Sequence, residues 1–464
     1  MSEQEQRQTA PRLEVVADSM KRDWDDRARG DAKWFINTLR LQQSEEEFDQ
    51  SGRVEVERLV LAELPLLTWG RAPQSLRVLE IGCGAGRMTK HLAQVFGDIT
   101  GVDVSGEMIR QAQNRLAGQA NVHLYETNGV DFRALPDASF DLILSAFVFQ
   151  HVPSAEVIAS NLREAWRVLA PGGVCKFQTS SIVTSDFDQL AKDTWSGASF
   201  PESALREFAR SVGAQLISIF GAGTQYCWTT MRKPVTPVLA NARVAPVIEY
   251  FGCTFDAQDK QIPVAGSRAS LTVIVSGLGR ELADCNSLRL LLGTEPVAPR
   301  YVGPIGNNFA PALQAELAVP LDGLTQVEIG VPNGFLPGIK PVFVQLGAAV
   351  SSPVEVAFVA LPPPPPKIGT IMNAHDKGTD IFAQGPKSRL LILVEDVAES
   401  AATDNVRLQI GNAEITPLSV VYLAGNALHQ VEAQLPDGIV AGETALRLYF
   451  GDLPVATATL DIKP

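Results

Sequence analysis

Basic residues are scarce in this chain. Lys and Arg number 39 against 52 Asp and Glu, a formal charge of −13, and no basic run exceeds two residues. A surface for nucleic acid needs clustered positive charge, so no nucleic-acid partner is expected. Long apolar runs are missing as well. None approaches the ~18 residues that a membrane-spanning helix needs, so no membrane span is expected. Cysteine is sparse, odd in number and scattered: Cys83, Cys175, Cys227, Cys253 and Cys285. That fits reduced thiols in a cytoplasm rather than a disulfide framework or a zinc site, and no metal site is expected. The opening stretch MSEQEQRQTA is polar and lacks the basic-then-apolar pattern of a secretory signal. A cytoplasmic location is the expectation.

What is present points to a large globular chain. The 464 residues are 45% hydrophobic and 20% charged, and at ~100–200 residues per domain the length suggests about three domains. Composition changes along the chain. All six tryptophans lie before residue 234, whereas 23 of the 30 prolines lie after Lys233. Lys233 to Pro237 is a candidate linker, because proline and the residue before it both resist helix. Pro362 to Pro366 is an unbroken proline run, which favours a stiff polyproline II spacer.

The first 233 residues alternate strands and helices. Leu76–Ile81, Ile99–Asp103, Val122–Tyr125, Phe140–Ala146 and Val174–Thr179 read as strands. Arg87–Phe96, the segment carrying Met108, Ile109, Ala112 and Leu116, and Ala155–Leu169 read as helices. Pro171-Gly172-Gly173 is expected to stop the last of these. A helix at Pro201–Val212 and strands at Gln215–Phe220 and Gln225–Met231 complete the set. Alternation of this kind favours a parallel sheet with helices on both faces and a ligand site at the carboxyl ends of the strands.

The first strand runs into Gly82-Cys83-Gly84-Ala85-Gly86, three glycines in five positions at a strand-to-helix turn. Glycine tolerates positive φ and lets a ligand approach the backbone. The spacing departs from the G-x-G-x-x-G dinucleotide fingerprint. The second strand ends in Asp103, about 20 residues on, where a carboxylate can accept both hydroxyls of a ribose. A tight turn needing glycine for its own sake is the structural alternative.

At this point the chain resembles the class I S-adenosylmethionine-dependent methyltransferases, over about residues 13–233. The motifs are LEIGCGAGR (79–87), GVDVSGEMI (101–109), the NG at 128–129, LPDASFDLILSAFVFQHVP (135–153) and REAWRVLAPGG (163–173). The resemblance implies S-adenosylmethionine as cofactor, with Gly82, Gly84 and Gly86 around its methionine part. It implies that Glu80 orients the amino group, Asp103 holds the ribose and Val104 packs on the adenine. Asn128 and Gly129 stand where the family often has an acid near the adenine amino group. Ser145 and Ala146 would lie beside the sulfonium. The expected fold is a Rossmann-like α/β domain with a seven-stranded, mostly parallel sheet.

Methyl transfer asks mainly for alignment and exclusion of water, but a hydroxyl acceptor also needs a base. His151 alone among the five histidines follows the strand at the expected site, and it is the candidate; a turn-capping role is the structural alternative. The expectation for His91 and His123 is packing or surface. Residues 12–61 read as mainly helical, and in small-molecule members of the family such helices cover the site. Trp24, Arg27, Trp34, Phe35 and Gln150 are candidates for an acceptor pocket; anchoring of the helices on the core is the alternative. The acidic clusters Asp23-Asp25-Asp26 and Glu45-Glu46-Glu47 read as solvated helix faces. Thr184–Phe200, with Trp195, is a candidate lid.

The second half reads as a tandem β repeat. Ser270–Val275, Ser287–Leu292, Leu313–Val319 and Thr325–Val331 are matched by Arg389–Val394, Val406–Ile410, His429–Leu435 and Ala445–Phe450. Gly293 and Gly411 align, as do Pro320 and Pro436. Regular strand spacing suggests two β-sandwiches, and the pattern resembles immunoglobulin-like IPT/TIG domains. The expected division is a helical cap (1–70), a methyltransferase core (71–233), a first sandwich (246–360), a proline-rich linker (361–367) and a second sandwich (368–464). The sandwiches would serve for spacing or a protein partner. The function that uses every motif is methyl transfer to a small-molecule or glycan acceptor. A cofactor-binding scaffold without turnover and an NAD-dependent oxidoreductase remain as alternatives.

Overall fold

The computed structural model describes residues 3–38, 43–182, 194–195, 197–235, 245–265, 268–278, 283–306, 309–316, 321, 323–360, 367–375, 378–395, 406–423, 428–436, 438–450 and 453–464. Pro362–Pro366, the second half of Lys233–Pro237, Pro320 and most of the Thr184–Phe200 segment lie outside them. The chain divides into two compact units, Met1–Ile36 with Ser44–Leu361, and Asn37–Gln43 with Pro362–Pro464.

The first unit opens with two helices, α1 (Glu3–Ile36) and α2 (Glu45–Leu59). Asp31 breaks α1 with extended dihedrals (φ −153°, ψ 85°), and its carboxylate accepts from Trp34 N–H at 3.1 Å to restart the helix. Ser44 and Glu47 close a reciprocal capping box that starts α2. After the short helix α3 (Leu64–Thr68) come β1 (Arg77–Ile81), α4 (Thr89–Val95), β2 (Asp98–Asp103), α5 (Gly106–Arg115), β3 (Val122–Glu126), β4 (Phe140–Ser145), α6 (Ala155–Val168) and β5 (Leu169–Thr179). A helix at Glu202–Ser211, β6 (Gln215–Phe220) and β7 (Cys227–Arg232) follow. The strands order as β3-β2-β1-β4-β5-β7-β6, parallel up to β5, with β7 antiparallel to both neighbours. All six residues of β4 are buried, as a parallel strand covered on both faces requires. Gly101 stands on β2 against Cys83 and Leu124; a Cβ there would meet the Leu124 side chain at 2.8 Å.

Two local expectations need correction. The helix expected from Arg87 begins at Thr89, because the glycine turn extends to Met88. Pro171-Gly172-Gly173 is not a loop after a helix. β5 begins at Leu169, where Leu169 pairs with Phe140, and the register then jumps so that Val174 pairs with Leu142. The Pro-Gly-Gly segment is the bulge between those pairs, with Gly172 at φ +83° and its N–H donating to the Lys233 carbonyl.

The sheet does not stop at β6. Tyr301 in β13 (Tyr301–Gly303) pairs with Ser218, and Ile219 N–H donates to the Arg300 carbonyl at 2.8 Å. β13, β14 (Thr325–Gly330), β10 (Ser270–Ser276) and β8 (Val247–Cys253) thereby continue the same sheet to eleven strands. Around the seam, Gln215 Nε2 donates to the Ala283 carbonyl and Leu216 N–H to Asp284. Cys285 N–H returns a bond to the Leu216 carbonyl. Arg206 donates to the carbonyls of Cys285 and Pro299. One apolar core runs through both parts, from Leu79 and Ile143 through Leu216 and Ile219 to Val273 and Val327. A second sheet of the first unit holds β9 (Gln261–Pro263), β11 (Leu288–Leu292), β12 (Glu295–Val297), β15 (Gly338–Leu346) and β17 (Val354–Val359), ordered β12-β11-β15-β17-β9, with β16 (Ala349–Val350) paired to β15.

The second unit repeats this strand order. β18 (Lys367–Asn373), β20 (Arg389–Glu395), β24 (Leu428–Gln434) and β23 (Ser419–Leu423) mirror β8-β10-β14-β13. β22 (Ala413–Ile415), β21 (Val406–Ile410), β25 (Gly442–Phe450), β26 (Leu453–Lys463) and β19 (Ile381–Phe382) mirror the other sheet. Gly293 (φ +65°) and Gly411 (φ +58°) turn equivalent hairpins. The equivalence further along differs from the sequence pairing. Thr325–Gly330 corresponds to Leu428–Gln434, and Leu313, expected in a strand, lies in the helix Ala310–Glu316. Its apolar side chain packs on Tyr250, Ile274 and Phe309, a burial that a helix face provides as well as a strand.

Candidate active site

β1 delivers Glu80 and the glycine turn. Gly82, Gly84 and Gly86 all have positive φ (74°, 53° and 80°), which L side chains adopt only at a cost. A Cβ at Gly82 would lie 2.2 Å from a methyl of Val148, and one at Gly84 would lie 2.9 Å from Cδ1 of Ile36. The turn is therefore fixed by its own dihedrals and by close approach of the β4 loop and the end of α1.

Asp103, at the end of β2, is tied into that turn. Its carboxylate accepts from Gly84 N–H and from Ser105 N–H, both at 2.9 Å. Enclosure raises the carboxyl above its ordinary value, against the pull of those N–H groups. Glu80 is buried and accepts from Thr89 Oγ1 at 2.6 Å. Burial pushes its carboxyl up to about 7, although Thr89 and Arg87 oppose the shift.

Val104, Asn128 and Ser145 stand at or just beyond the carboxyl ends of β2, β3 and β4. Val104 lies against Gly129, where a Cβ would meet its methyl at 2.8 Å, with Ala17 of α1 nearby. Asn128 is otherwise engaged: its Oδ1 accepts from Val130 N–H and Asp131 N–H, both at 2.9 Å, a side-chain turn cap. Ser145 is buried and donates to the Ile81 carbonyl at 3.2 Å. Two residues later Phe147 has φ +61°, a conformation that costs a non-glycine residue of order 1–3 kcal/mol and is concentrated at functional sites. Its ring packs edge-on against Tyr226 and Trp228.

The cap brings its aromatics together. The Arg27 guanidinium stands over the rings of Trp24 (4.7 Å), Trp195 (5.5 Å) and Phe35 (5.8 Å), and it donates to the Thr194 carbonyl. Trp34 stacks parallel to Trp195, centroids 6.0 Å apart. His151 adjoins the same cluster, with Trp195 at 5.0 Å and Trp24 at 5.6 Å. Its Nδ1 faces the Trp195 carbonyl and its Nε2 the Gln150 amide. His91 and His123 stand elsewhere, beside the Asp49 carbonyl and Asp98.

The acidic clusters are not merely solvated, which corrects their sequence reading. Asp25 accepts from Ser105 Oγ (2.6 Å) and Glu107 N–H (3.1 Å), so α1 caps the start of α5 beside Asp103. Burial disfavours its ionisation, yet those bonds and Lys21 hold it below the ordinary carboxylate range. Asp23 accepts from Thr194, and Glu45 pairs with Lys33 and Arg115. Sequence reasoning missed Asp25 because a helix-face acid and a cap of a distant helix look identical in one dimension. It missed Gln178 of β5, fully buried and bonded to Gln150, because nothing in the sequence distinguishes that glutamine.

Known proteins resemble part of this chain. The sequence pattern of a family described as "Methyltransferase domain" matches residues 79–177. The chain is 37% identical over 142 residues to a demethylmenaquinone methyltransferase of Tropheryma whipplei (strain Twist), covering 28% of this chain and 57% of that one. It is 27% identical over 188 residues to a ubiquinone biosynthesis O-methyltransferase of Azoarcus sp. (strain BH72), covering 36% and 72%. A solved S-adenosylmethionine-dependent methyltransferase from Aquifex aeolicus aligns at 20% identity and a TM-score of 0.30 over 41% of this chain and 98% of that one. The chain thus spans little more than half the length of the Tropheryma relative. Around residues 79–177 the chain carries a class I S-adenosylmethionine-dependent methyltransferase domain, and S-adenosylmethionine is the cofactor that goes with it.

Proposed function

We propose that this protein transfers a methyl group from S-adenosylmethionine to the hydroxyl of a small-molecule acceptor. The observation that carries the reading is the Asp103 carboxylate bonded to Gly84 N–H, which joins the two nucleoside-recognition elements into one rigid corner. The residues fit the cofactor: the positive-φ glycine turn allows close approach, Asp103 offers lone pairs to a ribose, Glu80 a carboxylate to an amino group, and Val104 with Gly129 an apolar edge to adenine. Bound there, the cofactor supplies an activated methyl on sulfur. The quinone-pathway names of the relatives support a small acceptor, and one of them is an O-methyltransferase.

The chain's own part is to position and to take a proton. His151, within the ring cluster of Trp24 and Trp195, is the base in this reading, with Trp34, Phe35, Arg27 and Gln150 around the acceptor. Calorimetric titration with S-adenosylhomocysteine should give saturable one-to-one binding, and an extract incubated with protein and labelled methyl donor should yield a labelled small product. No binding at all would end this reading. His151→Ala should lower turnover about 10²–10⁴-fold with cofactor affinity unchanged; full turnover in that variant removes the base role.

Glu80 makes cofactor affinity depend on pH. Its folded carboxyl titrates at about 7, and the cofactor's amino group prefers the ionised form. Binding should strengthen as pH rises through 7, by about tenfold between pH 6 and 8. The same shift runs the other way for stability. The unfolded chain loses this proton first, so Glu80 costs stability as pH rises from its ordinary value towards 7. Glu80→Gln should flatten both profiles, followed by calorimetry and by thermal unfolding across that range.

The duplicated strand order supports reading residues 246–360 and 368–464 as two immunoglobulin-like sandwiches. Five buried, unbridged cysteines support a reducing compartment such as the cytoplasm. No described helix is long and apolar enough to cross a membrane.

A further inference from the structure

Three side chains and two main-chain carbonyls around the carboxyl ends of β4 and β5 form one hydrogen-bonded line. Gln178 Nε2 donates to the Gln225 carbonyl (2.5 Å) and to Gln150 Oε1 (3.1 Å). Gln150 Nε2 faces His151 Nε2 (3.1 Å), and His151 Nδ1 faces the Trp195 carbonyl (2.7 Å). A main-chain carbonyl only accepts. The Gln225 carbonyl therefore requires the nitrogen of the Gln178 amide on its side. That nitrogen requires the oxygen of Gln150, which leaves the Gln150 N–H pointing at His151. Nε2 must then be the bare nitrogen, and the proton sits on Nδ1, where the Trp195 carbonyl accepts it. Turning over Gln150 alone sets nitrogen against nitrogen at the glutamine pair. Turning over both sets oxygen against oxygen at Gln225. A carbonyl at each end locks the direction of the whole line.

Gln178 keeps this place at a cost. It is fully buried, and its Oε1 has no hydrogen-bond partner among the described residues. A buried unsatisfied carbonyl is unfavourable, and an apolar side chain of similar length avoids it. The amide is retained for what its nitrogen does.

We propose that Gln178 is a positioning residue which, acting through Gln150, holds His151 as the neutral Nδ1–H tautomer, with the Nε2 lone pair engaged by the Gln150 N–H until an acceptor hydroxyl displaces it. This rests on the reading of His151 as the base. The Gln150 N–H takes up the position on Nε2 that an acceptor hydroxyl uses in the reaction, so the site selects acceptors carrying a proton on the atom to be methylated. In the step, the hydroxyl proton passes to His151 Nε2 as the oxygen bonds the methyl carbon. The electron pair of the broken carbon–sulfur bond stays on sulfur, and the imidazolium later returns its proton to water.

Histidine side-chain 15N–1H spectra of the full chain test this directly, with the His151 signals identified by their loss in His151→Ala. The wild-type protein should show the Nδ1–H tautomer. In Gln178→Glu, a carboxylate that only accepts turns the Gln150 amide over, so that both ring nitrogens face acceptors and a second proton should be gained on Nε2. Gln150→Glu should put a proton on Nε2 directly and raise the pH midpoint of His151. A wild-type Nε2–H signal overturns the proposal without any variant. So does an Nε2 that stays unprotonated in both variants while they bind S-adenosylhomocysteine as the wild type does. Loss of that binding in the wild-type protein would count against the methyltransferase reading instead, and the tautomer would still be read independently.

Discussion

A chain ended after Lys233 is expected to be recovered as aggregate, whereas one ended after Ala360 should stay soluble and bind S-adenosylhomocysteine. The motifs of the methyltransferase domain all lie before residue 233, so the sequence alone gives no reason for the shorter chain to fail. The seam supplies it. Without β13, the strand β6 becomes a bare sheet edge with unpaired N–H and C=O groups, a template for pairing with other chains. Arg206, Gln215 and the Leu216 and Ile219 N–H groups lose their partners at Cys285, Pro299, Ala283, Asp284 and Arg300. Each of these five bonds contributes about 0.5–1.5 kcal/mol net, so together they remove several kcal/mol of the ~5–15 kcal/mol that keeps a domain folded. The apolar core is opened as well, since Leu216 and Ile219 share it with Val273 and Val327. Light scattering and circular dichroism on the two chains decide the matter. A monomeric, folded 1–233 chain with full cofactor affinity contradicts it.

Asp103→Ala should weaken S-adenosylhomocysteine binding more than a hundredfold. Two ribose hydroxyls donated to one carboxylate contribute about 1.5–3 kcal/mol each, and every 1.4 kcal/mol is a factor of about ten. The variant also frees Gly84 N–H and Ser105 N–H, so the glycine turn loses its anchor to β2. Asp103→Asn is the intermediate case. It keeps an acceptor oxygen for only one of the two N–H groups, sets its amide nitrogen against the other and removes the charge, so affinity and melting temperature should both fall between wild type and alanine. Equal affinities for all three proteins would mean that the ribose is held elsewhere.

The local parts of this molecule were legible in its sequence. The glycine turn, Asp103 and the strands around them announce themselves through residue type and short spacing, and β21 falls at Val406–Ile410 as read. What escaped was non-local. Pairing of β13 with β6 joins Tyr301 to Ser218, 83 positions apart, and no periodicity encodes which edge a short strand will cover. Leu313 misled for a related reason: a brief apolar run suits a helix or a strand until its neighbours are known. The cap shows the same limit in another form. Trp24, Arg27, Trp34 and Phe35 were visible as candidates, but their convergence with Trp195 and His151 depends on α1 bending at Asp31.

The doubled strand order also sets how the two copies evolve. Among the described residues β23 ends its sheet, whereas its counterpart β13 is spent on closing the sheet of another fold. Substitutions at Tyr301–Gly303 are therefore screened by the methyltransferase domain, whereas among the described residues the strand order gives Ser419–Leu423 no such second neighbour. Homologues should accordingly drift faster at the second site than at the first, although both strands hold the same place in their sheets.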